Sequence, residues 1–141
     1  MMATTPGHHA VVTEVDFDRL TRLIDSRRYR SSDAGRVFGL KTELDRRVVV
    51  SPDRIPKGAV TMNLRVRVRD LASGVAETYT LVYPDDADID LNRVSVLAPL
   101  GMALLGRSAR EVFEFTVPAG TRRMRVERVV YQPEAAGDLH L

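Results

Sequence analysis

The sequence predicts an α+β protein: a short N-terminal antiparallel helical hairpin, then a mainly antiparallel sheet with one short helix against it. Two patterns carry that expectation. Up to residue 47, apolar residues recur at +3 and +4 spacing. From residue 60 they alternate with period two. Between them, Pro52, Pro56 and Gly58 punctuate a linker. The apolar share, 44% of 141 residues, suits one folded domain and excludes a disordered chain.

Residues 1–12 read as a disordered tail that carries His8 and His9. The hairpin is expected over 13–47. In its first helix Phe17, Leu20 and Ile24 form one stripe, and Thr13 or Asp16 serves as the N-cap. In the second, Val37, Leu40 and Leu44 repeat the spacing, while Gly35 and Gly39 weaken it. The connector Arg27-Arg28-Tyr29-Arg30-Ser31-Ser32-Asp33 is basic and polar, so it forms the hairpin tip, and Ser31, Ser32 or Asp33 can cap the second helix. The linker spans 48–59 and the sheet domain 60–141. In that domain Leu64, Val66 and Val68 point to one face and Arg65, Arg67 and Arg69 to the other. "ASG" turns the chain into a second strand, "VAETYTLVYP", and "NRVSVL" is a short third. Pro99 opens and Gly106 closes a short buried helix, and "EVFEFTVP" and "RRMRVERVVYQP" are two more strands.

Composition excludes several classes. With no cysteine there is no disulfide framework and no thiolate chemistry. No apolar run approaches a membrane span, and "MMATTPGHHA" has no leader pattern, so a cytoplasmic protein is expected. The net charge is +2, and the bases, almost all arginine, are interspersed with acids.

Chemical motifs fail on inspection. Asp86, Asp88 and Asp90 have calcium-loop spacing, but Leu91 and Leu97 stand where that loop needs glycine and glutamate, so a solvated turn is expected. "GRVFGLKT" lacks the spacing of a phosphate loop and follows no strand. No histidine lies between residues 10 and 139 to serve as a catalytic base. The arginine row 65/67/69 has no interleaved aromatics and reads as a solvated strand face.

The stretch from Leu81 to the end has a distinctive order: the "DDAD" turn, "SV", a proline-initiated helix ending "ALLG", a "PAG" turn and a strand ending "VVY". It resembles the C-terminal domain of the GreA/GreB transcript-cleavage factors. "ELDR" at Glu43–Arg46, "VTMNLRVRVRDL" at Val60–Leu71 and the tail "YQPEAAGDLHL" resemble more closely the Rnk family, regulators of nucleoside diphosphate kinase. The resemblance covers residues 14 to 141.

It implies an FKBP-like, Gre C-terminal-type domain that docks on the rim of the secondary channel of bacterial RNA polymerase, with the hairpin reaching toward that channel. In Gre factors two acids at the tip of a long coiled coil help hold a second catalytic Mg²⁺. Here the expected hairpin is about half as long, and its tip holds one acid, Asp33, beside Arg27, Arg28 and Arg30. The resemblance therefore implies a non-enzymatic transcription regulator that competes with Gre factors and does not cleave RNA. Any effect on nucleoside diphosphate kinase is expected to be indirect. The docking residues it implies are Ser95, Leu97, Ala98, Pro99 and Leu100, of which Pro99 matches the Gre pattern and Leu97 and Ala98 depart from it. Leu100, Leu104 and Leu105 read equally as core. No cofactor or metal, no membrane contact and a monomer are expected, and direct nucleic-acid contact is not. The alternatives are an FKBP-like prolyl isomerase, which lacks the expected aromatic cup, or a nucleic-acid-binding module.

Overall fold

The structure is a computed structural model that describes residues 11–26 and 34–131. In chain order the elements are β1 (Val11–Thr13), α1 (Glu14–Asp25), α2 (Ala34–Asp45), β2 (Val48–Val50), β3 (Arg65–Asp70), β4 (Ala76–Val82), β5 (Arg93–Ser95), α3 (Pro99–Leu104), β6 (Val112–Val117) and β7 (Gly120–Tyr131). Five strands form one sheet in the order β5-β4-β3-β7-β6. Its pairs are antiparallel except β4–β5, which is parallel. Among the described residues no helix is long and apolar enough to cross a membrane.

Local chemistry explains the helix starts. Thr13, rather than Asp16, caps α1: its Oγ1 accepts from the Asp16 backbone N–H at 3.0 Å. The Asp16 carboxylate is thereby free to face the domain, where its Oδ2 accepts from the Met62 N–H at 2.9 Å. Leu20, Leu40 and Leu44 are buried in the same core cluster as Val66, Leu81 and Val126. The hairpin and the sheet thus share one hydrophobic core.

Two sequence boundaries need correction. Residues 11 and 12 were expected in the tail, yet Val11–Thr13 pairs in parallel with Val48–Val50, and Val12 is buried. The expected linker 48–59 therefore begins as a strand, continues as a 3₁₀ turn at Pro52–Arg54, and ends with Ala59 buried and bridged to Ser108. Three-residue strands are too short to show a period, and their partner lies far away in sequence. The strand expected from Val60 starts only at Arg65, because Asn63 adopts a left-handed φ of 62°. From there the alternation holds: Val66 and Val68 are buried and Arg65 is exposed.

The acidic stretch forms two exposed 3₁₀ turns, Pro84–Asp86 and Ile89–Leu91, with Asp88 accepting from the Asp90 N–H at 3.0 Å. Among the described residues no group of three or more potential ligands could hold a metal ion.

Candidate docking site

The chain reverses tightly between β5 and α3. Ser95 Oγ accepts from the Leu97 N–H at 3.0 Å, and the Ser95 carbonyl accepts from the Ala98 N–H, also at 3.0 Å. Pro99 then occupies the first turn of α3, where a missing N–H costs nothing. Gly101 lies so close beneath that a Cβ there would overlap the Ser95 carbonyl oxygen and sit 3.0 Å from Val96 Cα. Glycine is what lets α3 fold back on the end of β5.

At the other end of α3 the Gly106 N–H donates to the Val60 carbonyl at 2.8 Å, and Gly106 takes a φ of 83°. Arg47, just beyond α2, fastens the hairpin here. Its Nε and Nη2 donate to the Leu105 carbonyl at 3.1 and 2.7 Å, and its Nη1 donates to the Glu43 carbonyl at 3.0 Å. The Arg47 side chain is only 5% exposed. Burial lowers its pKa from the ordinary value, and the neighbouring Glu43 carboxylate acts in the opposite direction.

Between α2, α3 and β6 lies a groove of about 330 Å³. Pro99, Met102, Ala103 and Phe115 give it apolar walls, while Glu43, Arg107 and Glu114 make its rim polar. Gly39 of α2 lines it too, and a Cβ at Gly39 would stand 3.5 Å from Met102 Sδ. That is ordinary van der Waals contact, so α3 could approach an alanine here as well. Beside it Phe38 is 71% exposed.

Of the five docking residues expected from sequence, Pro99 lines this groove. Ser95 and Ala98 hold the turn that presents it, and Leu100 is half-buried. Leu97 is buried in the core, as are Leu104 and Leu105, so Leu97 offers no surface to a partner. The expected tip residues Arg27 to Asp33 lie outside the described residues. Sequence reasoning missed the groove's α2 and β6 walls.

A second, smaller hollow of about 160 Å³ lies at the β3–β4 turn, lined by Asp70, Glu77, Tyr79 and Arg122 among others. Asp70 is ion-paired with Arg122 and accepts from the Ala72 and Ser73 N–H groups at 2.8 and 3.2 Å. These donors, Arg122 first, hold its carboxyl below the usual carboxylate range. Burial, with help from Glu77 at 2.7 Å, pushes the Tyr79 phenol up to about 12.

Residues 55–131 match the family described as Transcription elongation factor, GreA/GreB, C-term. Over 132 residues the chain is 36% identical to the "Regulator of nucleoside diphosphate kinase" of Escherichia coli (strain K12), covering 91% of this chain and 93% of that protein. It is 33% identical over 98 residues to the transcription elongation factor GreA of Methylococcus capsulatus, covering 69% of this chain and 62% of that protein. The solved prokaryotic transcription elongation factor GreA/GreB from Nitrosomonas europaea superposes with a TM-score of 0.70 at 35% identity, over 88% of this chain and 99% of that one.

Proposed function

The chain belongs to the GreA/GreB family of transcription factors, in the branch of the regulators of nucleoside diphosphate kinase, and from that premise we propose that it regulates transcription by binding RNA polymerase at the rim of the secondary channel. There it competes with Gre factors and does not cleave the transcript. The observation that carries this reading is the groove beside Pro99. It is a concavity with apolar walls and a polar rim, built where the hairpin meets the C-terminal domain. A docked partner would touch both parts, which aims the hairpin relative to the docking surface.

The absence of cleavage rests on the hairpin. Its helices have 12 residues each, or about 18 Å. The tip sequence has one carboxylate, Asp33, among three arginines. Guanidiniums pair with a carboxylate and take it out of service as a magnesium ligand. Any effect on nucleoside diphosphate kinase would then run through transcription.

Met102 lines the groove and is only half-buried, so Met102→Arg places a charge on the apolar wall with little disturbance of the core. We expect it to weaken retention on core polymerase at least tenfold. Paused elongation complexes given the wild-type protein should show no shortened transcripts. Wild-type retention by the variant would refute the groove as the docking site, and shortened transcripts would refute the non-cleaving role.

A further inference from the structure

The sequence shows one arginine row, on β3, and its lack of aromatics reads as a solvated face. The sheet changes the count. Arg65 faces Thr80 of β4, which faces Arg93 of β5. Arg67 pairs with Arg128 of β7, and Arg69 pairs with Arg125. Arg123, two residues before Arg125, pairs with Glu114 of β6. The opposite face of these strands is the core, with Val66, Val68 and Val126 buried. The solvent face of the sheet therefore gathers seven arginines against two glutamates, Glu114 and Glu127.

Part of this charge is spoken for. Arg69 donates to Glu127 Oε1 at 3.1 and 3.0 Å, and Arg125 donates to Glu127 Oε2 at 3.0 Å. Those two guanidiniums hold the Glu127 carboxyl below its usual range. Arg123 lies 3.9 Å from Glu114. Arg67, Arg93 and Arg128 have no carboxylate partner among the described residues. Arg67 and Arg128 stand directly opposite each other, and like charges in that position destabilise a sheet. A fold gains nothing from such a pair. A polyanion laid across it gains both charges.

We propose that this face binds the phosphodiester backbone of duplex nucleic acid. Two observations support that partner. Threonine hydroxyls at 78, 80, 116 and 121 share the face with the arginines, and both are phosphate-contacting groups. The face spans β5 to β7, three strand spacings or roughly 14 Å, enough to follow one duplex backbone. The acidic turns between residues 84 and 91 flank Arg93, so the strongest field lies over β3 and β7. Binding here does not depend on the groove and is tested on free DNA.

The test is fluorescence anisotropy of a labelled random-sequence DNA duplex between 50 and 200 mM salt. With two or three phosphates neutralised, log K should fall against log salt with a slope of about −2 to −3. Arg67→Gln and Arg128→Gln should each flatten the slope by about 1, equally for two unrelated sequences. Their urea midpoints should be no lower than wild type, since each removes one of two facing like charges. A tip variant, Arg27→Gln with Arg28→Gln and Arg30→Gln, should bind as wild type does. The proposal is overturned by no binding at 50 mM salt, by binding lost in the tip variant but kept in the sheet variants, or by tighter binding to polyglutamate than to the duplex.

Discussion

Gly101→Ala is the substitution on which helix propensity and packing disagree most. Gly101 is interior to α3, where alanine should gain about 1 kcal/mol over glycine. The structure reverses the sign. The new methyl would lie 2.8 Å from the Ser95 carbonyl carbon and 3.0 Å from Val96 Cα, and would overlap the Ser95 oxygen. Ordinary carbon contacts need about 3.5 Å, so α3 or the β5 end must move by close to 1 Å. The β5 end cannot yield freely. Its Val96 N–H is held by the Val82 carbonyl at 2.9 Å, and the Ser95 carbonyl already holds the Ala98 N–H. Backbone clashes of this kind cost about 1–3 kcal/mol or more, so against the propensity gain the net effect is a loss of up to about 2 kcal/mol or more. Gly35→Ala in α2 is the control, because no atom lies within 4 Å of its Cβ position. It should gain up to about 1 kcal/mol. Urea unfolding followed by circular dichroism reads both. With a slope of about 1–3 kcal/mol per molar urea, the two midpoints should move apart by roughly 1 M, with Gly101→Ala the lower. A Gly101→Ala midpoint at or above wild type would refute the tight-turn account of the docking segment.

Three further outcomes follow from named contacts. Arg47→Met leaves the buried Leu105 carbonyl without its two guanidinium bonds and should cost about 1–3 kcal/mol in urea unfolding. Asp16→Ala strips the acceptor from the Met62 N–H and should cost about the same, while Asp16→Asn, whose amide oxygen can still accept, should recover most of it; equal losses in both variants would mean that this bond does not hold the hairpin to the domain. Ultraviolet titration should show the Tyr79 phenol ionising near 12. Its folded pKa lies above the unfolded value, so its contribution to stability is complete below the ordinary tyrosine pKa and is lost as pH rises through the folded one. Glu77→Gln should bring that phenol only part of the way back, because burial is the larger cause.

What was legible in the sequence was whatever a short periodic pattern could carry. Leu64, Val66 and Val68 announce the inner face of their strand, and Pro99 and Gly106 bracket α3. Leu20, Leu40 and Leu44 mark the faces by which the two helices enter the core. What was not legible depends on partners distant in sequence. Val11 and Val12 look like tail until Val48 and Val49 lie beside them. The groove needs α2, α3 and β6 together, and no short pattern in the sequence carries it. The arginine face is the same case. Six charged positions along the C-terminal strands look interspersed in sequence, but pairing across the sheet puts Arg67 beside Arg128, and neither has a carboxylate partner among the described residues. Leu97 shows the converse error, since its place in the docking segment hid that its side chain packs inward.

The most direct test of the central claim is retention of the purified protein on immobilised bacterial core RNA polymerase at low salt, with and without an excess of GreA. The account predicts retention that GreA displaces and that Met102→Arg weakens. No retention, or retention that GreA leaves unchanged, would contradict docking at the secondary-channel rim.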